Sequence, residues 1–316
     1  MLNIITGKVN RAVKTVIYGT EGVGKSTLAA QFPKPLFIDV EGGTSQMDIR
    51  RIAKPQTWEE LLADVNEVAK TLGICGTLVL DTADWAETLC VTFVCAKYKQ
   101  NSIEGFGYGR GYTYLAEEWA RLLSALDGVI AAGINVTIIA HARQRKVELP
   151  DQTGSFDHWE MKVSKQVAPL LKEWADLLLF LNYQTFVVTT ENNSKKATGG
   201  KRVMLTSHST MWDAKNRHDL PEQLDLDFAV IAHLFSNVES VKTVLNSRDK
   251  LRSLMTKSGV TEEQLRNVVA AKGHYPVDTP IEEYPEKFIN DWCIKHWKLI
   301  VEMIQSNENS EKEGNK

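Results

Sequence analysis

Short apolar runs alternate with longer segments of mixed polarity over the first 210 residues of the chain. The run TLVLD is apolar almost to its end, as in a strand buried on both faces of a sheet. The segment TWEELLADVNEVAKTL is amphipathic, with Thr57 and Glu60 at capping-box spacing. This alternation predicts an α/β fold with a mostly parallel sheet between helices. The predicted strands are 13–18, 35–40, 77–81 and 135–141, and the predicted helices are 25–32, 57–72, 83–98 and about 114–132.

The pattern changes after Trp174, where short polar segments separate three further apolar runs. These runs predict strands at 177–182, 185–190 and 202–207, and the last two form an antiparallel hairpin at the sheet edge. Farther on, the sequence becomes more charged and shows helical periodicity. We therefore predict a core over 1–236, a helical C-terminal domain over 237–305 and a disordered tail over 306–316.

Composition excludes several classes of protein. The net charge of −3 provides no global positive field, so any nucleic-acid contact requires a local basic patch. The four cysteines lack CxxC spacing, which argues against a zinc site or a disulfide framework. No apolar run reaches the length of a membrane-spanning helix, and the N-terminus does not resemble a signal peptide. We expect a cytoplasmic protein with no membrane partner.

Residues 19–27 read GTEGVGKST and fit the pattern G-x-x-x-x-G-K-[ST], with a strand before and a helix after. The glycines allow backbone N–H groups to point at phosphate oxygens, while Lys25 reaches the β- and γ-phosphates. Ser26 offers its hydroxyl to Mg²⁺, and Thr27 contacts the α-phosphate. The alternative is a chance glycine-rich turn. We predict an ATP and Mg²⁺ site formed by Gly19, Thr20, Glu21, Gly22, Val23, Gly24, Lys25, Ser26 and Thr27.

Two carboxylates follow predicted strands and suit the chemistry of this site. Asp81 ends a strand, where it can hold Mg²⁺ through water, although an aspartate there can also cap the next helix. Glu41 stands in a glycine-rich turn just past another strand, where a carboxylate can polarise the attacking water. The alternative for Glu41 is a solvated turn residue.

Several segments, taken in chain order, resemble RecA-family recombinases. The whole set is similar to phage-encoded RecA-like ATPases. These are the AAA-type phage nucleotide-binding proteins, which include single-strand-annealing recombinases. The segments are FIDVEGG, LVLDT, VTIIAHARQRK and DAKNRHDLPEQ, with GFGYGRGY before the long helix. The resemblance covers about 14–225. It implies a RecA-like P-loop NTPase fold and ATPase activity.

The resemblance also assigns roles to individual residues. It implies that Glu41 is the catalytic base and that His141 occupies the place of a glutamine that senses the γ-phosphate. The alternative for His141 is a core histidine that caps the end of its strand. Lys215 and Arg217 match two cations that reach a neighbouring subunit's triphosphate, which implies a homo-oligomer with nucleotide at the subunit interface. A solvated basic loop is the alternative for this pair. Asp176 is implied to have a structural or site-lining role.

Two segments are candidates for single-stranded DNA binding, because aromatic rings stack on unpaired bases and cations bind phosphates. The alternative is a pair of ordinary surface loops whose aromatic side chains pack against the protein. The first segment, 100–112, contributes Phe106, Tyr108 and Arg110, and the second, 142–160, contributes Arg143, Arg145 and Lys146.

Three functions remain open from the sequence. The preferred one is an ATP-hydrolysing protein that binds single-stranded DNA in phage-type recombination or strand annealing, with a single-strand-binding protein as a further partner and the cytoplasm of a bacterial host as its location. The others are a nucleotide-gated loader with little turnover and a P-loop kinase of a small molecule. Glu41 and the Lys215–Arg217 segment favour hydrolysis over transfer to a metabolite.

Overall fold

A computed structural model of the protein describes residues 6–7, 9, 11–71, 73–148, 154–189, 195–235 and 247–313. Its contacts divide the chain into two compact units, Met1–Val241 and Lys242–Lys316. The strands of the first unit are β1 (Lys14–Gly19), β2 (Pro35–Asp39), β3 (Arg51–Ile52), β4 (Thr77–Asp81), β5 (Asn135–Glu148), β6 (Ser155–Met161), β7 (Leu177–Thr189), β8 (Lys195–Leu205), β9 (Lys215–Asn216) and β10 (Gln223–Asp225). Its α-helices are α1 (Lys25–Ala29), α2 (Trp58–Lys70), α3 (Ala83–Lys97), α4 (Arg110–Ala131) and α5 (Val167–Trp174).

The sheet of the first unit is mostly parallel with an antiparallel edge, as the sequence predicts. Its strand order is β10-β8-β7-β1-β5-β4-β2-β3, and the pairs from β7 through β3 are parallel. Strands β8, β9 and β10 add antiparallel pairs, and β6 pairs with the far half of β5. Strand β1 therefore lies centrally, with β5 on one side and β7 on the other.

Both faces of the sheet are buried, which explains the continuous apolar strands. In β1 the side chains of Val16 and Tyr18 enter one core cluster, while Ile17 enters the cluster on the other face. The first cluster is centred on α2, α3 and α4, where Trp58 and Trp119 are fully buried and stacked with ring centroids 5.8 Å apart. Helix α2 starts where expected, because the Thr57 side chain accepts a hydrogen bond from the Glu60 N–H.

Some of the predicted elements differ from the structure. The two apolar runs after Trp174 form one continuous strand, β7, and it is β7 that makes the hairpin with β8. A register shift at Gln184 and Thr185 lets the strand pass through the polar residues between the runs. Strand β5 continues beyond its apolar part to Glu148, because β6 pairs with the extension. The last helix covers residues 306–313, where we predicted disorder.

The second unit is helical and has its own core. Its α-helices are α6 (Ser247–Ser258), α7 (Glu262–Ala271), α8 (Glu286–Phe288) and α9 (Trp297–Glu313), with a π-helix at Ile289–Ile294. Leu265, Tyr284 and Cys293 are fully buried within it. Among the described residues, no helix of either unit combines the length and apolar character needed to cross a bilayer.

Candidate functional site

The P-loop connects the end of β1 at Gly19 to the start of α1 at Lys25. Gly24 has a φ of 106° and caps the helix in the left-handed region, which side chains with a Cβ rarely adopt. A Cβ at Gly19 would lie 2.5 Å from the carbonyl oxygen of Leu181 on β7, so this position also requires glycine. The backbone can therefore curl closely over the sheet, as phosphate binding by N–H groups requires.

Lys25 lies inside this loop. Its side-chain Nζ donates hydrogen bonds to the carbonyl oxygens of Gly19 at 3.1 Å and Thr20 at 2.9 Å. Burial lowers the pKa of Lys25, while the nearby carboxylates, above all Asp81, act in the opposite direction. The Lys25 ammonium is thus held close to the loop backbone. The charged oxygens of a bound triphosphate would be stronger acceptors for this ammonium than the two carbonyl oxygens.

Ser26 and Asp81 form a pair suited to Mg²⁺. The Ser26 hydroxyl donates to an Asp81 carboxylate oxygen at 2.6 Å. Asp81 is only 3% exposed, and burial raises its pKa to about 6. A buried carboxylate of this kind is stabilised by a cation, and oxygen donors are the ligands that Mg²⁺ prefers. The residues present therefore fit the metal, with Ser26 and Asp81 as the groups that would hold it.

Asp39 is a site residue that the sequence analysis missed. It ends β2 and its carboxylate accepts hydrogen bonds from the N–H of Gly42 at 2.6 Å, the N–H of Thr44 at 2.9 Å and the Thr44 hydroxyl at 2.6 Å. Burial raises its pKa, but these hydrogen bonds outweigh burial and the pKa is lowered. The ionised carboxylate thereby shapes the turn that carries Glu41. An aspartate just before a glycine-rich turn is a recognised sequence signal for a turn in which the side chain accepts hydrogen bonds from the following backbone.

Glu41 and His141 face each other across the same pocket. The Glu41 side chain is 33% exposed, and its Oε2 lies 3.9 Å from Nε2 of His141. A second missed residue, Asp84 in the first turn of α3, holds the histidine from behind. Its carboxylate accepts from the His141 backbone N–H at 3.1 Å and contacts ring Nδ1 at 2.9 Å. This arrangement directs Nε2 toward Glu41 and the pocket.

The structure brings eight sequence-predicted residues into one cavity of about 290 Å³. They are Gly22, Gly24, Lys25, Ser26, Thr27, Glu41, Asp81 and His141. Because β1, β2, β4 and β5 are parallel, their carboxyl ends meet at the same edge of the sheet and deliver these residues together. The cavity combines a loop suited to phosphate, the Ser26–Asp81 pair suited to Mg²⁺, and the facing side chains of Glu41 and His141, an arrangement that can orient and polarise a water beside a phosphate.

The His141–Asp84 pair predicts a pH dependence of stability. Hydrogen bonding to Asp84 raises the pKa of His141, although burial opposes this. Burial raises the pKa of Asp84, but hydrogen bonds from His141 outweigh it and lower that pKa. The stabilisation is therefore complete between the unfolded-state values of about 3.9 and 6.5. It is lost as the pH rises through the raised pKa of His141 or falls through the lowered pKa of Asp84.

We expect His141→Gln to remove the loss of stability that the wild type shows as the pH rises above about 6.5. A charge-assisted hydrogen bond of this type contributes about 1.5–3 kcal/mol, so we expect the change in the free energy of unfolding to be no larger than this. Urea unfolding at a series of pH values measures it. As a matched control, we expect His208→Gln, a change of an exposed histidine, to keep the wild-type profile. An unchanged profile in His141→Gln contradicts the assignment.

Lys215 and Arg217 are not brought into this cavity. Strand β9 pairs with Leu177 and Leu178, at the start of β7, whereas Gly19 of the P-loop pairs with Leu181 farther along that strand. The two cations therefore lie toward the opposite end of the sheet from their own P-loop. Their predicted action on a neighbouring subunit stays a prediction.

Both cations already have partners within the chain. Nζ of Lys215 donates to the carbonyl oxygens of Lys172 and Glu173 at 2.8 and 2.9 Å, at the end of α5. Arg217 and Arg11 share the buried carboxylate of Asp176, at 3.0 and 2.9 Å. Asp176, for which a structural or site-lining role is predicted, thus holds two guanidinium groups whose side chains remain about half exposed.

The first candidate DNA segment contains one packed ring and two exposed side chains. Phe106 ends a short 3-10 helix and packs edge-on against Tyr98 and Tyr114, with centroids 5.7 and 5.5 Å away. This packing corrects the prediction for Phe106, because the ring is engaged with the protein surface. Tyr108 is fully exposed, and Arg110 is exposed at the start of α4. Of the three, Tyr108 and Arg110 remain accessible.

The second candidate segment is a hairpin where we expected a loop. Arg143 and Arg145 lie on the β5 extension, and both approach Glu160 on β6, at 2.9 and 3.8 Å. Lys146 is exposed opposite Asp157. The acidic residues of β6 thus offset part of the positive charge. Residues 149–153 of the segment lie outside the described part of the chain.

Comparison with known families agrees with this geometry. Residues 11–218, about two thirds of the chain, match a family described as AAA domain. The chain belongs to this AAA domain family. The match contains the P-loop, Asp81, Glu41 and His141, so the predicted AAA-type P-loop ATPase is confirmed at the level of the family.

Individual relatives of this AAA domain are distant. It is 26% identical over 140 residues to the SPbeta prophage-derived uncharacterized protein YorG of Bacillus subtilis strain 168, and the match covers 41% of each chain. The alignment thus spans about two fifths of that relative's length. Among solved structures it is similar to the RadB recombinase, with a TM-score of 0.36, 19% identity and coverage of 63% of this chain and 82% of that chain. A KaiC-like protein, PH0186 of Pyrococcus horikoshii OT3, has a TM-score of 0.33 and 14% identity over 62% of this chain and 79% of its own.

Proposed function

We propose that this AAA domain protein hydrolyses Mg-ATP and couples hydrolysis to binding of single-stranded DNA, in phage-type recombination or strand annealing in the cytoplasm of a bacterial host. The name of the Bacillus subtilis relative supports a phage context. The cavity at the P-loop supports hydrolysis, since it sets Glu41 and His141 across from the phosphate loop and its metal-binding pair.

The observation that supports coupling between nucleotide hydrolysis and DNA binding is that β5 is continuous. The strand passes from the core through His141, in the nucleotide cavity, directly into the hairpin that bears Arg143, Arg145 and Lys146. A change in the contacts of His141 with a γ-phosphate is transmitted along a hydrogen-bonded strand with no flexible linker between. This geometry supports a DNA-binding hairpin that responds to the nucleotide.

The position of Arg217 supports assembly. Since Lys215 and Arg217 lie away from the P-loop of their own chain, a triphosphate that they contact belongs to a second copy. We propose a homo-oligomer with nucleotide at the subunit interface, in which Arg217 supplies the cation. The Lys215 ammonium is less available, because two carbonyl oxygens already bind it. Interaction with a single-strand-binding protein belongs to the same proposal.

Steady-state ATP hydrolysis, measured with and without single-stranded DNA, tests the DNA part of the proposal. We expect single-stranded DNA to raise the hydrolysis rate of the wild type and of Tyr108→Phe. We expect Tyr108→Ala to need roughly ten-fold more DNA for the same stimulation, because base stacking on an aromatic ring is worth about 1–3 kcal/mol. Duplex DNA is the control, since its bases expose no free face.

Other outcomes identify the other functions. Stable nucleotide-dependent complexes without turnover indicate a loader, and phosphoryl transfer to a metabolite indicates a kinase. DNA stimulation that is equal in Tyr108→Ala and Tyr108→Phe contradicts the role given to this segment.

A further inference from the structure

Tyr183 and Arg202 form a pair beside the P-loop that has no role in the site described above. They lie directly opposite each other on the antiparallel strands β7 and β8, so their side chains share one face of the hairpin. The Tyr183 hydroxyl donates a hydrogen bond to the carbonyl oxygen of Gly22 at 3.2 Å. Nη1 of Arg202 donates to the carbonyl oxygen of Val23 at 3.4 Å. Both side chains therefore reach the loop from the β7 side.

The strand order gives the loop two unlike sides. The groups suited to the metal and the γ-phosphate lie on the β5 side of β1, since Asp81 ends β4, Glu41 follows β2 and His141 belongs to β5. A triphosphate with its terminal phosphate at these groups would run back across the loop. Its nucleoside would then leave the loop on the β7 side, where Tyr183 and Arg202 lie.

The chemistry of the pair suits a nucleoside and its first phosphate. The Tyr183 side chain is 39% exposed, and its hydroxyl tether to Gly22 keeps the ring beside the loop. A purine can stack on such a ring in a sequence-tolerant way. Arg202 has five N–H donors, and its long contact with Val23 uses one of them. Its Nη1 would also lie 2.9 Å from a Cβ placed on Gly24, so the guanidinium touches the loop itself.

We propose that Tyr183 stacks on the base of the bound nucleotide and that Arg202 binds its α-phosphate. The inference rests on the proposed function, because it requires a nucleoside triphosphate in the P-loop. It goes beyond that function by assigning the base contact to the hairpin at the antiparallel edge of the sheet. It also makes this hairpin, and not the β5 side, the part of the site that distinguishes a nucleotide from a bare polyphosphate.

Calorimetric titrations with Mg-ATP and with magnesium tripolyphosphate, which has no base, test the proposal. We expect Tyr183→Ala to weaken ATP binding about ten-fold or more and to change tripolyphosphate binding by less than about two-fold. Tyr183→Phe keeps the ring and is expected to retain most of the ATP affinity. Lys25→Ala is the contrasting variant, since it acts on the phosphates and is expected to weaken both ligands. Circular dichroism verifies folding, and Tyr183→Thr, which suits a strand, replaces the alanine variant if that one does not fold.

The results separate three cases. A loss confined to ATP supports the base contact. An equal loss for both ligands, or no loss for either, overturns it, because Tyr183 would then act only on the loop or not at all. A wild-type protein that binds neither ligand overturns the proposed function first, and this inference with it.

Discussion

Lys25→Ala is expected to weaken Mg-ATP binding by about 30- to several-thousand-fold and to reduce hydrolysis to background. Removing one partner of a buried, hydrogen-bonded charge pair costs about 2–5 kcal/mol. The Lys25 ammonium lies inside the loop, where it donates to the carbonyl oxygens of Gly19 and Thr20. Isothermal titration with Mg-ATP and a phosphate-release assay measure the two effects.

The matched control for this variant is Lys70→Ala, which removes an exposed lysine at the end of α2. It is expected to bind and hydrolyse ATP as the wild type does. ATP affinity that is unchanged in Lys25→Ala contradicts the assignment of the nucleotide to the P-loop.

The same variant reveals whether Arg217 acts on a second copy. Lys25→Ala retains Arg217 but has a defective P-loop, while Arg217→Ala retains the P-loop. If Arg217 acts across an interface, mixing the two inactive proteins restores part of the activity. A mixture that stays as inactive as its components contradicts the action between subunits.

Glu41→Gln is expected to lower kcat for ATP hydrolysis by about 10²- to 10⁴-fold while ATP affinity stays close to that of the wild type. The amide keeps the shape of the side chain but cannot accept the proton of the attacking water. Asp39 shapes the turn through its bonds to Gly42 and Thr44, so the substitution leaves the backbone in place. Single-turnover hydrolysis, together with equilibrium titration of Mg-ATP, separates the chemical step from binding.

Glu59→Gln, an equivalent change on the exposed side of α2, controls for the loss of one negative charge. It is expected to leave kcat unaltered. A Glu41→Gln enzyme that turns over within a few-fold of the wild type shows that another group activates the water. DNA stimulation is also expected to disappear with Glu41→Gln, since there is then no hydrolysis to stimulate.

Local patterns predicted much of the core correctly. The phosphate loop is a contiguous motif, and backbone geometry limits it to glycine at positions such as Gly24. Asp81 and Glu41 were found because each directly follows an apolar strand, and ligand groups gather at the carboxyl ends of parallel strands. The lack of apolar residues predicts a disordered tail, whereas α9 reaches residue 313; low apolar content does not by itself end a helix that has already begun.

The sequence by itself determined the P-loop, the alternation of strands and helices, and the carboxylates at the strand ends, because all of these depend on neighbouring residues or on a short period. The tertiary structure alone decided the partners of those groups. Asp84 meets His141 across 57 positions, and Tyr183 meets Gly22 across 161. Such contacts depend on which strand lies beside which and in what register. The period of the apolar pattern is the same for every strand order, so it does not encode this choice.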